Sequence, residues 1–105
     1  MKKDIKQAWL NALRSGDYEQ TTGYLEDKGE YCCLGVLCDI TDEVEKGNYR
    51  EFTSVNKKNA MTTCLDADTL EFFGLEENEA HHLMKMNDDE LNNFEEIADW
   101  IEDYL

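Results

Sequence analysis

Residues 31–40 have the sequence Tyr-Cys-Cys-Leu-Gly-Val-Leu-Cys-Asp-Ile, and we expect the rest of the chain to pack around them. Nearly every position is apolar, which is typical of an element that is buried on most sides. The pattern predicts a helix from Cys33 to about Lys46, with Gly47 as its C-terminal stop. Gly35 would weaken an exposed helix by about 1 kcal/mol relative to alanine, so we expect it to let another backbone approach closely. A buried strand is the alternative, because a short apolar run is compatible with both states.

The segment that precedes this stretch predicts a β-hairpin. Residues 18–25 are rich in aromatic and β-branched side chains, and Asp27-Lys28-Gly29 favours a turn. The second strand, from about Glu30 to Cys32, would lead directly into the central helix.

Both ends of the chain predict amphipathic helices. Residues 4–15 place Ile5, Ala8, Trp9, Ala12 and Leu13 at helical spacing. Asp4 is expected to cap this helix, and Gly16 to end it. The last helix should begin after Asn92 or Asn93, each followed three residues later by a glutamate, as in a capping box. Its apolar stripe consists of Phe94, Ile97, Ala98, Ile101 and Leu105.

The region between these elements predicts two more helices and an irregular segment. Asp66 is a good N-cap for a short helix that Gly74 ends, and a further helix should run from Glu76 to about Met86. Residues 48–64 follow neither the helix nor the strand period, although a short strand at either end would add a third strand to the hairpin. We therefore predict one α+β domain over residues 1–105, with a small antiparallel sheet of two or three strands packed with four or five helices.

The net charge of −15 is unevenly distributed along the chain. Residues 1–50 carry seven basic and ten acidic side chains, a net charge of −3, and residues 51–105 carry three basic and fifteen acidic ones, a net charge of −12. Such a field repels phosphate backbones, which disfavours direct nucleic-acid binding and favours cationic partners. No apolar run approaches the roughly 20 residues of a membrane span, and the first residues lack the pattern of an export signal. We therefore expect a cytoplasmic protein with no membrane contact.

The four cysteines predict buried thiols. Without an export signal they should be reduced, and three of them lie within the apolar stretch, where cysteine packs as a small hydrophobe. Cys32, Cys33, Cys38 and Cys64, with His81 and His82, also supply enough donors for zinc, so a small zinc-binding domain is an alternative. The spacing argues against it, because zinc ligands usually come in pairs on polar, glycine-containing turns. We predict no metal and no cofactor.

The last helix carries an acidic face that a nearby cation would stabilise. Glu95, Glu96, Asp99, Glu102 and Asp103 lie away from its apolar stripe. Like charges four residues apart, and acids near the C-terminal end of the helix dipole, each cost a few tenths of a kcal/mol. Either the lysines of the first helix lie alongside, or this face binds a basic surface of a partner.

A second candidate site is the polar group of Arg14, Tyr18, Gln20 and Tyr31. Arginine offers a fixed fork of donors, and with the neighbouring side chains it would line a small-ligand pocket beside the hairpin. The same residues would equally serve to hydrogen-bond a turn. An anionic ligand such as a signalling nucleotide would also have to overcome the net charge.

Three segments, residues 12–20, residues 31–39, and Met86-Asn87-Asp88 together with residues 94–99, resemble a family of small uncharacterised proteins of tailed bacteriophages. The resemblance spans most of the chain, and the cysteine segment is its most specific part. Where many of those proteins have Leu-Pro, this chain has Leu65-Asp66, a departure that affects only a helix start. The resemblance implies a phage accessory protein that acts in the bacterial cytoplasm, and it implies no catalytic residues.

Taken together, these observations favour a non-enzymatic protein that binds and blocks a host component, such as a defence protein, through its acidic surface. The alternatives are sequestration of a signalling nucleotide near Arg14 and Tyr18, and the zinc-binding domain. The enzyme class is disfavoured, because the sequence shows no nucleophile–base set.

Overall fold

Five helices and two small sheets make up the fold in the computed structural model, which describes residues 1–105. The helices are α1 (Lys3–Arg14), α2 (Cys33–Asp39), α3 (Ala67–Phe73), α4 (Glu77–Asp88) and α5 (Phe94–Tyr104). The strands are β1 (Glu19–Gln20), β2 (Glu26–Asp27), β3 (Glu30–Tyr31), β4 (Glu45–Lys46), β5 (Phe52–Thr53) and β6 (Ala60–Met61). The predicted α+β class is confirmed.

Helix α2 lies at the centre of the core, as predicted. Every residue from Cys33 to Cys38 is buried, and α1 and α4 pack against the helix. The indole of Trp9 on α1 donates to the carbonyl of Cys33 at 2.9 Å. The core is a cluster of 23 buried apolar residues, so burial of apolar surface is the main stabilising contribution.

The predicted extension of this helix to Lys46 is wrong. The helix ends after Asp39, where the Thr41 hydroxyl donates to the carbonyl of Leu37 at 2.6 Å and satisfies part of the helix end. Glu45 and Lys46 form β4 instead. Backbone pairing with β5 thus prevails over the helical spacing of this segment.

The first sheet has the strand order β1-β3-β2 and differs in part from the predicted hairpin. Strands β2 and β3 are antiparallel and joined by Lys28 and Gly29, which both have positive φ, as a type I′ turn requires. The predicted first strand over residues 18–25 is wrong, because only β1 is extended there and it pairs with β3 in parallel. Residues 21–25 bend, so that Leu25 enters the core.

The second sheet has the order β4-β5-β6 and is antiparallel throughout. Strands do occur at both ends of the irregular segment, but they form a sheet of their own and do not extend the hairpin. A buried glutamate links the two sheets: the Glu26 carboxylate accepts from the Gly29 amide at 2.8 Å and pairs with Lys46 at 3.2 Å.

Most predicted helix ends are confirmed. Asp66 caps α3, Gly74 ends it with positive φ, and Asn93 caps α5 in a capping box with Glu96. The predicted cap of α1 is wrong: Lys2 occupies the N-cap position without a side-chain bond, and Asp4 lies in the first turn, where it still favours the helix dipole. Helix α4 ends two residues beyond the predicted Met86. No helix has the length and apolar character that crossing a lipid bilayer requires.

Candidate functional site

Three of the four cysteines are interior packing groups. Cys32, Cys33 and Cys38 are buried, and the Cys32 sulfur caps α2 by accepting from the Gly35 amide at 3.4 Å. Burial raises the pKa of the Cys32 thiol to about 12, and also raises the pKa of Cys33 and of Cys38. Because the thiolate is the nucleophile and the metal ligand, these thiols are inert at neutral pH.

The residues considered for zinc are not gathered in one place. Cys64 is exposed before α3, and His81 is exposed on α4. His82 lies against Trp100, with ring centroids 4.7 Å apart. No group of three or more His, Cys, Asp or Glu side chains has an arrangement that would hold a metal ion. The geometry therefore gives the zinc alternative no support.

The four residues of the predicted ligand pocket divide into three separate hydrogen-bonded sets. Arg14 faces α5, Tyr18 donates to Asp39 at 2.6 Å, and the Tyr31 hydroxyl lies 3.5 Å from the same carboxylate. Gln20 donates to the side chain of Asn87 at 2.8 Å. Burial, together with the Asp39 carboxylate, raises the pKa of both tyrosines. None of the three principal surface pockets is lined by any of the four, so the ligand pocket stays a prediction that these contacts do not support.

Arg14 supplies a counter-cation for one side of the acidic face on α5. Its guanidinium lies 2.9 Å from Asp99, 3.3 Å from Glu102 and 3.9 Å from Glu95. Hydrogen bonds to Glu102, and to a smaller extent to Asp99, raise the pKa of Arg14. Lys6 adds a bond of 3.1 Å to the backbone carbonyl of Glu102. Helix α1 thus supplies a cation to the acidic face, as one of the two predicted alternatives has it. That cation is mainly Arg14, whereas the prediction named the lysines.

The acidic face nevertheless stays open to solvent. The side chains of Glu95 and Asp99 are 66% and 67% exposed although Arg14 contacts both. Asp103 is exposed and forms no ion pair, and exposed Glu96 accepts from the Asn93 amide at 3.0 Å as half of the capping box. One arginine for five carboxylates leaves this face strongly negative, with an affinity for cationic groups.

Aromatic side chains border this face on the side toward α4. The rings of His82, Trp100 and Tyr104 form a stack with centroid distances of 4.7 and 5.3 Å, and Tyr104 is 69% exposed. Tyr104 is exposed and Trp100 is half-buried, and Trp and Tyr beside carboxylates often contribute to protein interfaces and to cation–π contacts. This stack was not predicted, although the spacing of four residues between Trp100 and Tyr104 places both on one side of a helix.

Asn87 lies in the Met86-Asn87-Asp88 segment of the resemblance, but no role was predicted for it. It is buried, and its carbonyl oxygen accepts from the Cys33 amide at 3.2 Å and from Gln20 at 2.8 Å. Its amide nitrogen donates to the carbonyl of Thr21 at 2.9 Å. These bonds join α4 to the start of α2 and to β1, which makes the role of Asn87 structural.

A family described as a domain of unknown function (DUF8296) has a model that matches residues 1–70. The match covers α1, α2, both sheets and the first part of α3, and it ends before α4 and α5. No curated protein and no solved structure matches the chain.

Proposed function

The chain belongs to the DUF8296 family, a domain of unknown function, and we propose that it is a non-enzymatic binding protein whose acidic α5 face docks on a basic surface of another protein. The observation that carries the proposal is the exposed carboxylate row of α5. Glu95, Glu96, Asp99, Glu102 and Asp103 are all exposed, and Arg14 is the only cationic side chain that forms an ion pair with them.

The distribution of charge and of reactive groups supports this proposal. The C-terminal half carries a net charge of −12, which accelerates encounter with a basic partner and selects against acidic ones. The thiols, the strongest nucleophiles of the chain, are buried in three of four cases, which supports a non-enzymatic role. The aromatic stack beside the acidic face would add contact area to the interface.

The resemblance to proteins of tailed bacteriophages suggests where such a partner would be found. In this proposal the chain is a phage accessory protein in the bacterial cytoplasm, and it binds and blocks a host component such as a defence protein. The acidic surface lies outside the residues that the family model matches, so the proposed docking belongs to the C-terminal third of this chain and not to the matched region.

A charge-neutralised variant tests the proposal. Tagged wild-type protein and the variant E95Q/E96Q/D99N/E102Q/D103N are used to capture proteins from a bacterial lysate at low and at high salt. The amide side chains keep the size of the carboxylates and remove five charges. We expect wild type to retain a specific host protein at low salt, and both the substitutions and high salt to release it, because exposed charges are screened.

A second variant controls for total charge. The substitutions D17N/E19Q/E30Q/D42N/E43Q remove the same number of charges from exposed carboxylates whose side chains form no ion pair. This control should retain the partner as wild type does. The proposal is wrong if both variants behave alike, or if the captured protein stays bound at high salt.

A further inference from the structure

An apolar groove runs between α3 and α4, apart from the acidic face of α5. It has a volume of about 880 Å³. Its apolar lining consists of Cys64, Leu65, Ala67, Leu70, Ala80 and Met84. Leu65 and Ala80 are buried and form the floor, whereas Cys64 and Ala67 are exposed at its edges. The groove therefore presents an apolar surface that the chain itself leaves uncovered.

The chain segments that form this groove are strongly acidic, and Glu77 is the carboxylate in its lining. Between residues 59 and 84 the chain has six carboxylates and neither a lysine nor an arginine, and the next basic residue is Lys85. The six are Asp66, Asp68, Glu71, Glu76, Glu77 and Glu79. None of them forms an ion pair with another part of the chain. An apolar groove with Glu77 in its lining, formed by segments in which no Lys or Arg precedes Lys85, is complementary to an apolar ligand that carries cations.

We infer that this groove binds the apolar face of a basic amphipathic helix from a protein partner. The inference rests on the proposed function, since it assumes that the partner is a protein, and it names the chemistry of the docking segment. Such a helix would place large aliphatic side chains over Leu65 and Ala80, and Lys or Arg on its flanks toward the carboxylates. Met84 suits this role, because its unbranched, polarisable side chain adapts to different apolar partners. A small neutral ligand would form no ion pair with the carboxylates near the groove, so the observed charge favours a cationic ligand.

Cys64 offers a direct reporter for occupancy of the groove. It lines the groove and is the only exposed thiol, whereas the other three are buried. The probe is a synthetic 14-residue peptide of Leu and Lys in an amphipathic helical pattern. At a free peptide concentration of ten times its Kd, about one tenth of the protein remains free, so reaction of Cys64 with a thiol reagent should slow about tenfold. The same pattern with Glu in place of Lys should not slow it.

Substitutions in the groove identify the binding surface. Met84→Lys should weaken binding of the Leu/Lys peptide by about tenfold or more, because it places a cation in the apolar lining opposite a basic ligand. Met84→Leu should bind as wild type. His81→Lys adds a cation at an exposed lining position and should weaken binding even if Met84→Lys folds poorly. Leu91→Lys is the matched control, since it makes the same charge change at a leucine that is 70% exposed and lies outside the groove.

Three results would overturn the inference. The first is a bound Leu/Lys peptide that leaves the reaction rate of Cys64 unchanged. The second is equal protection by the Leu/Glu peptide, which would mean that the groove accepts apolar ligands of either charge. The third is equal weakening by Leu91→Lys and by the groove substitutions.

The same titration separates this inference from the proposed function. If the five-site amide variant of α5 no longer binds the peptide and the groove variants still bind it, the proposed α5 interface is supported and the groove inference is wrong. If the groove variants no longer bind the peptide, and the α5 variant still binds both the peptide and the host protein, the groove inference is supported and the proposed α5 interface is wrong.

Discussion

Gly35 lies directly against the backbone of Leu25, so closely that a β-carbon on Gly35 would be 1.8 Å from the Leu25 carbonyl oxygen. The Leu25 backbone is fixed from two sides. Its carbonyl accepts from the Cys32 amide at 3.1 Å, and its amide donates to the Thr62 carbonyl at 2.7 Å. The contact therefore joins the central helix to a chain segment that two backbone hydrogen bonds prevent from moving away.

Gly35→Ala should abolish or severely weaken folding. In a free helix this change stabilises by about 1 kcal/mol, but here the methyl group meets backbone that cannot yield, and we expect a loss of at least about 3 kcal/mol in the free energy of unfolding. Urea titration followed by circular dichroism measures it. Gly47→Ala is the control, because a β-carbon there would lie 3.2 Å from the flexible Glu51 side chain. Equal effects of the two changes would show that the contact with Leu25 is not the cause.

The central helix, its burial and the role of Gly35 were predictable because an unbroken apolar run leaves few choices. The same holds for the caps at Asp66 and Asn93, which depend on neighbouring residues alone. The end of α2 and the strand pairings were not predictable. Strands of two residues have no measurable period, and their pairing depends on residues distant in sequence, such as β4 with β5.

Arg14 and Asp99 should show an energetic coupling that depends on salt. Their 2.9 Å contact crosses from α1 to α5 at the surface, where ions screen it. A double-mutant cycle of Arg14→Gln and Asp99→Asn, measured by thermal unfolding, should show favourable coupling at low salt. We expect that coupling to fall by roughly half or more at about 1 M salt, where the screening length is about 3 Å. The cycle of Arg14→Gln with Asp103→Asn should show coupling near zero, because these side chains form no ion pair.

The candidate site was predictable only in part. The acidic row on α5 follows from helical spacing, and its need for a cation follows from the charges. That cation could be identified only from the packing of α1 on α5, which brings Arg14 to Asp99 and not to Tyr18. The structural role of Asn87 was not predictable, because a buried asparagine in a helix cannot be told from a surface one by sequence until its partners are known.

Asn87→Ala should destabilise the fold by about 2–4 kcal/mol, because it leaves the buried amide of Cys33 and the half-buried carbonyl of Thr21 without their partner. Urea unfolding at neutral pH measures the loss. Asn48→Ala is the control, an exposed asparagine whose side chain forms no hydrogen bond, and should change stability by less than about 0.5 kcal/mol. A similar small effect at both positions would mean that water replaces the Asn87 side chain.

Asp66 should make the free energy of unfolding decrease at acidic pH. Burial alone would raise its pKa, but hydrogen bonds from Ser54, Asn59 and Thr69 outweigh burial and hold the pKa of Asp66 below its usual value of 3.8. The charged form is therefore the one that folding favours. Its stabilisation is fully present above the pKa of the unfolded chain, and it is lost as the pH falls through the lower pKa of the folded state.

Asp66→Asn isolates this charge, because asparagine is also a good N-cap. The free energy of unfolding of wild type should exceed that of the variant by a constant amount between about pH 5 and 7. The difference should shrink as the pH falls below about 4, where the carboxyl group of the unfolded chain takes up its proton. Urea titrations across this range measure it. Asn93→Ala removes an uncharged cap from α5 and should cost about 1 kcal/mol with no pH dependence from the cap itself. A wild-type advantage over Asp66→Asn that persists unchanged to pH 2 would mean that these hydrogen bonds do not favour the ionised carboxylate.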